Sequence, residues 1–232
     1  MRSQIQRAAY LAGLVALAAI VWTGAARATT ITVFNNFSGT PSFNQFVGYG
    51  VSGSNVGDSV QAMPFIASST ANLADAVLAL GTFTASNDGP ITLDLESNSS
   101  SGLPGTVLAT LTQQGTIPLE TSPGLVTFDY SGGTVALTSG TSYWLVALET
   151  DPNSLQEWFF SHGYDGPYAT NSAGSATGPW LTIGSSNRSA FQVDGTTVAT
   201  TAEPGTFSLL ALGIFGLGAL WVERRRKLSR CA

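Results

Sequence analysis

Cysteine and histidine are almost absent from this chain of 232 residues, which has one of each, Cys231 and His162. Because Cys231 is next to the last residue, the region before it can form no internal disulfide. A single histidine excludes a zinc site built from two or three histidines. No Gly-x-Ser-x-Gly nucleophile motif and no phosphate-binding loop occurs either. We therefore predict no catalytic residues and expect a protein that is not an enzyme.

Positive charge is also nearly missing from the middle of the chain. Between residues 29 and 202 there is one base, Arg188, against twelve acids, which gives a net charge of −11. The net charge of −5 for the whole chain hides this imbalance, because the other eight basic residues lie near the two ends. Such a region repels nucleic acid and anionic membrane surfaces, and it attracts cations.

The N-terminus has the pattern of an export signal. Arg2 and Arg7 precede an apolar run over residues 8–22, and small residues stand at Ala26 and Ala28. This arrangement of charge, apolar run and Ala-x-Ala sequence predicts a signal peptide over residues 1–28, which signal peptidase removes after Ala28. An uncleaved membrane anchor is the alternative.

The C-terminus has a second apolar run with the opposite order of charge. Glu203 and Pro204 precede an apolar segment over 206–222, and a basic tail over 224–230 follows. Seventeen helical residues span about 25 Å, which is the short end of what a bilayer requires. We predict a single transmembrane helix whose basic tail stays in the cytoplasm. A plain, permanent anchor is the alternative reading of this segment.

Residues 202–230 resemble the PEP-CTERM sorting signal of Gram-negative bacteria. The resemblance lies in Glu203 and Pro204, the glycine-containing apolar helix, and the cluster Arg224, Arg225 and Arg226. Ala202 stands where that motif begins with proline. The family implies an exported protein that sits transiently in the inner membrane until an exosortase-type enzyme processes it. The expected destination is the cell envelope, the cell surface or an extracellular matrix, where exopolysaccharide would be a partner.

The region between the signals, residues 29–201, has the pattern of an all-β domain. Residues 91–96 alternate apolar and polar, which predicts a strand with Ile91, Leu93 and Leu95 on the core face and its acids in water. Such strands recur every 10 to 15 residues between turn sequences rich in Gly, Asn and Ser. We predict an antiparallel sandwich of two sheets.

Two segments of this domain depart from simple apolar and polar alternation. Residues 143–148 are apolar on both faces, which predicts a central strand covered on each side. Residues 71–80 fit a helix, with Leu73, Val77 and Leu80 on one face, and they fit a long strand equally well. The strand agrees better with the neighbouring segments.

The domain also resembles the choice-of-anchor domains of bacterial surface proteins. The stretches that carry this resemblance are residues 98–108, 140–145 and 190–196. The family implies a small jelly-roll-like sandwich of unassigned biochemical role.

Aromatic residues crowd together after residue 157. Aromatic rings beside acids and amides are suited to sugars, because the C–H face of a sugar stacks on a ring while its hydroxyls form hydrogen bonds. A carbohydrate-binding surface is therefore an alternative function, and its candidate residues are Trp158, Tyr164, Tyr168 and Trp180. Packing in the core or in a loop is the competing explanation for the same rings.

No cofactor is expected, with one reservation for calcium. Oxygen-rich side chains cluster at Glu149, Asp151 and Asn153, and a second, smaller group is Asn87 and Asp88. Calcium prefers carboxylate and amide oxygens. Both groups also suit ordinary turns, since Asp and Asn bond their own backbone.

Overall fold

Strands and loops make up all of the chain that the computed structural model describes, residues 28–40, 42–84 and 89–197. This confirms the all-β prediction. In these ranges no helix is long and apolar enough to cross a membrane. The twelve strands are β1 (Thr30–Asn35), β2 (Gly48–Ser52), β3 (Val60–Ile66), β4 (Ala71–Thr82), β5 (Ile91–Asn98), β6 (Pro104–Gln114), β7 (Gly124–Asp129), β8 (Ala136–Leu137), β9 (Ser142–Glu149), β10 (Leu155–Asn171), β11 (Leu181–Ser189) and β12 (Phe191–Thr196).

Every pairing between these strands is antiparallel, as predicted, and the long strand β10 pairs with both β3 and β4, which lie far apart in the sheet order. The first half of β10 pairs with β2 and β4, and the second half pairs with β3 and β11. The hydrogen-bonded neighbours therefore form a closed circuit, in the order β4, β7, β6, β5, β9, β3, β10 and back to β4. Strands β1 and β12 extend the sheet beyond β4.

Strand β9 lies in the middle of this order, between β5 and β3, as its apolar sequence predicts. One face of β9 places Tyr143, Leu145 and Ala147 in the largest hydrophobic cluster, which we call the inner core. The other face places Trp144 and Val146 in a smaller cluster, which we call the outer cluster. The remaining members of the outer cluster are Val60, Ala62 and Ala169.

Residues 71–82 form strand β4, so the strand interpretation of this segment is confirmed and the helical one is wrong. Leu73, Leu78 and Leu80 point into the inner core. The reason is tertiary: β4 bonds β7 along one side and β12 along the other, so its backbone is satisfied in the sheet.

A buried asparagine links the chain after β1 to the junction between β11 and β12. The Asn36 side chain donates from Nδ2 to the Ser189 carbonyl at 2.9 Å and accepts the Phe191 N–H at Oδ1, at 2.7 Å. Asn36 thus satisfies a backbone donor and a backbone acceptor where the strand ladder is interrupted.

Residues Ala28–Val198 form one compact unit. The predicted signal peptide over residues 1–28 lies, except for Ala28, outside the described residues. So do the predicted sorting signal over 202–232, with Glu203, Pro204, Arg224, Arg225 and Arg226, and the calcium candidates Asn87 and Asp88.

Candidate functional site

Two buried acids stand side by side on the outer face of strand β5. The alternation of β5 sends Leu93 and Leu95 into the inner core, which confirms the predicted core face. It sends Asp94 and Glu96 the other way. These two carboxyls were expected in water, and that expectation is wrong: Asp94 is 7% exposed and Glu96 is 1% exposed.

The burial of this pair follows from the strand beside it. In the ladder, Asp94 lies opposite Val146 and Glu96 lies opposite Trp144, and both partners belong to the outer cluster. A sheet face that carries its own apolar cluster excludes water from the polar groups at the cluster's edge. Asp94 and Glu96 are therefore shielded from water together with Trp144 and Val146.

Part of that cover is the segment between β10 and β11. Ala176 and Trp180 of this segment pack against the outer cluster, as does Leu103 from the turn between β5 and β6. Asn171 fixes the start of the segment, because its Nδ2 donates to the Ser175 carbonyl at 2.7 Å and its Oδ1 accepts the Ala173 N–H at 2.7 Å.

The two carboxyls differ in their hydrogen bonds. Asp94 Oδ1 accepts a hydrogen bond of 2.6 Å from the Thr110 hydroxyl on β6. Both oxygens of Glu96 are buried and accept none. The next side chain on this face, Asn98, accepts the indole N–H of Trp144 at 2.8 Å.

The pKa values of the two carboxyls follow from these surroundings. Burial raises the pKa of Glu96 to about 7, and the negative charge of Asp94 adds to the shift. Burial also raises the pKa of Asp94, while the hydrogen bond from Thr110 opposes that increase. Glu96 therefore keeps its proton to a higher pH than an exposed glutamate does.

The four aromatic residues predicted to bind carbohydrate lie in different surroundings. Trp158 is 0% exposed, and its indole N–H donates to the Ala190 carbonyl at 3.0 Å. Tyr168 is buried and stacks on Tyr49, with ring centroids 4.3 Å apart. Tyr164 is 38% exposed, with the Arg188 guanidinium carbon 5.6 Å from the centre of its ring. Trp180 is half-buried against the outer cluster.

These rings do not form one surface. Trp158 and Tyr168 belong to the inner core, and Trp180 packs against the outer cluster, on the opposite face of the sheet. Core packing, the competing explanation from the sequence, therefore describes Trp158 and Tyr168. Only Tyr164 and Trp180 keep part of their rings at the surface.

The calcium candidates after β9 form a turn that uses two of their side-chain oxygens. Asp151 Oδ1 accepts the Asn153 N–H at 2.9 Å, and Asn153 Oδ1 accepts the Asn55 amide at 2.9 Å. Glu149 is buried at the end of β9. Across the described ranges, no group of three or more His, Cys, Asp or Glu side chains converges in a way that could hold a metal ion.

Three further acids lie directly beside one another on the neighbouring strands β12, β4 and β7. Asp75 of β4 lies directly opposite Asp194 of β12 on one side and Asp129 of β7 on the other. Burial, and then the charges of Asp194 and Asp129, raise the pKa of Asp75. Gln192 relieves part of this repulsion by donating to Asp194 Oδ2 at 2.6 Å.

The sequence contained a signal for the buried acid pair that the strand-by-strand interpretation missed. Residues 143–148 are apolar on both faces, so both faces of β9 had to be covered. A strand that is hydrogen-bonded to β9 is therefore shielded from water on both faces as well. The pairing of β5 with β9 could not be read from local patterns, because it joins segments about fifty residues apart.

A scan against protein-family models finds no match for this chain, and no curated protein matches it significantly.

Proposed function

We propose that this chain is an exported, non-enzymatic protein of the bacterial surface or extracellular matrix, sorted through its C-terminal segment. A signal peptidase removes residues 1–28, and an exosortase-type enzyme acts near Glu203 and Pro204. In this proposal the inner membrane holds the protein only transiently, through residues 206–222.

The observation that supports the proposal is that two boundaries lie close together. The sequence predicts a mature domain over residues 29–201, and the compact unit spans Ala28–Val198. A self-contained unit that ends where the predicted signals begin is what removal of both signals requires. The absence of cysteine and the net charge of −11 between residues 29 and 202 suit an exported domain that needs no disulfide chemistry and stays soluble.

The proposed role includes a finer description of the fold. We infer a jelly-roll-like sandwich of two sheets, of the kind found in choice-of-anchor domains. The support is the antiparallel pairing of all the strands and an inner core that collects residues from both halves of the circuit, such as Leu78 of β4 and Leu145 of β9.

The test of sorting is a variant at the motif. With Glu203→Ala and Pro204→Ala together, we expect an uncut precursor to accumulate in the inner membrane, because the processing enzyme loses its recognition sequence. Thr201→Ala, just before the motif, serves as the matched control and should be processed normally. Release of the double variant at the wild-type rate would contradict the proposal.

Carbohydrate binding is the second candidate function, and the surface position of Tyr164 and Trp180 favours it. Tyr164 presents a ring that is 38% exposed, and an aromatic ring can stack on the C–H face of a sugar. Exopolysaccharide would be the ligand in a matrix.

This second candidate is tested by polysaccharide retention. Tyr164→Ala or Trp180→Ala should weaken retention of the protein on exopolysaccharide while the fold survives. Phe46→Ala is the control, because Phe46 is 89% exposed and is not one of the predicted carbohydrate-binding residues. Unchanged retention in both test variants would remove carbohydrate binding through these rings.

A further inference from the structure

We propose that Asp94 and Glu96 form a binding site for a divalent cation of the calcium type. The site lies on the outer face of β5, at the edge of the outer cluster, and it does not involve the calcium candidates found in the sequence at residues 149–153. It also does not depend on the proposed export and sorting.

The Glu96 carboxyl is buried without a hydrogen-bond partner. Glu96 is 99% buried, and neither of its oxygens accepts a hydrogen bond. Burying a carboxyl without a partner costs several kcal/mol when it is charged. Two free oxygens on one buried carboxyl are also the donors that a hard cation takes in a bidentate fashion.

Asp94 lies on the same face of β5 as Glu96. Residues two apart on a strand point to the same face, with Cα atoms about 7 Å apart. The longer Glu96 side chain can cover that distance. The Thr110 hydroxyl bonds only Oδ1 of Asp94. Oδ2 accepts no hydrogen bond from the described residues. Three carboxylate oxygens are thus free for one ion.

Among the described residues, no basic side chain is paired with Asp94 or Glu96. Arg188 is the only base among the described residues after Ala28, and its Nε donates to the Pro167 carbonyl at 3.1 Å. The guanidinium of Arg188 lies over the ring of Tyr164. A cation from solution therefore has no competitor at Asp94 and Glu96 among the basic side chains that the structure describes.

Burial decides in favour of an ion over a larger ligand. Trp144, the aromatic neighbour of Glu96, is 2% exposed, so its ring offers no face on which a sugar could stack. A single ion needs no such face and can reach Glu96 from the Asp94 side, which retains slight exposure. With only two carboxyls as side-chain ligands from the described residues, we expect weak binding, with a Kd of about 0.1–1 mM.

The test is calcium titration of the full-length chain, purified in detergent, with thermal unfolding as the readout. At a tenfold excess of calcium over the Kd, the unfolding temperature should rise by about 3–6 °C. Terbium should replace calcium, and excitation of tryptophan should then sensitise its luminescence, because Trp144 lies opposite Glu96 in the ladder.

Three variants locate the effect. Glu96→Gln and Asp94→Asn should each abolish the calcium-dependent shift and the terbium signal. Asp165→Asn removes an exposed acid of β10 and should retain both. If Glu96→Gln does not fold, Asp94→Asn alone decides the result. The proposal is overturned if calcium leaves the wild-type chain unchanged, or if the shift persists in a folded variant of either acid.

Discussion

At the scale of single residues, the balance of forces at Glu96 makes the stability of the fold depend on pH. The folded chain holds the Glu96 proton with a pKa of about 7, against 4.5 for an unperturbed glutamate. A group with a raised pKa stabilises the fold fully below its unfolded pKa, and this contribution is lost as the pH rises through the folded pKa.

We therefore predict that, with a chelator present, the free energy of unfolding falls as the pH rises from about 4.5 to 7. At about 1.4 kcal/mol per pKa unit, the loss from Glu96 is at most about 3.5 kcal/mol. Chemical unfolding at a series of pH values measures it. Glu96→Gln should flatten the curve and Asp165→Asn should not; a wild-type curve that is flat over this range would show that Glu96 ionises normally.

The row of Asp194, Asp75 and Asp129 supports a second residue-scale prediction. Like charges directly opposite each other in a sheet destabilise it. Asp75→Asn should therefore raise the free energy of unfolding at pH 7 by about 0.5–1 kcal/mol, and the gain should shrink at high salt. Denaturant midpoints at two salt concentrations test this, with Asp165→Asn as the isolated-acid control. Destabilisation by Asp75→Asn would mean that repulsion is not the dominant interaction of Asp75.

At the scale of elements, the sequence predicted individual strands better than their surroundings. The alternation in residues 91–96 placed Ile91, Leu93 and Leu95 on the core face, because side-chain direction along a strand is a local property. On the opposite face, Asp94 and Glu96 lie beside Val146 and Trp144 of β9, and Ala176 and Trp180 pack against the cluster that contains those two residues. These contacts form only through tertiary folding. The burial of Asp94 and Glu96 could therefore not be derived from residues 91–96 alone.

For strand β10, too, the sequence pattern did not reveal the surroundings of the side chains. The sequence identified its aromatic residues, but β10 is 17 residues long and changes partners along its length. Its rings consequently meet different surroundings: Trp158 packs edge-on to Phe191, and Tyr168 stacks on Tyr49 of β2. Spacing along the sequence does not show on which strand a partner ring lies.

The junction between β11 and β12 provides an element-scale prediction. Asn36→Ala removes two buried hydrogen bonds and leaves the Ser189 carbonyl and the Phe191 N–H without that partner. We expect a loss of about 2–4 kcal/mol in the free energy of unfolding. Asn35→Ala, at the exposed neighbouring position, should cost less than half as much. Equal losses in a denaturant series would show that Asn36 does not hold this junction.

At the scale of the whole molecule, composition determines what kind of protein the chain can be. Residues 29–202 have twelve acids, one base and no cysteine, so stability must come from packing and from the antiparallel sheet. The proposed cation would neutralise part of the buried negative charge without a basic residue. The long-range features, the closed strand circuit and the outer cluster, depend on contacts that no local pattern records.

The central claim is that both ends of the chain are removed during export. Intact-mass measurement of the protein recovered from cells and from the surrounding medium tests it most directly. We predict an exported species that begins at Thr29 and lacks residues 206–230. A cytoplasmic species that retains both residues 1–28 and residues 206–230, with no shorter form outside the cell, would contradict the claim.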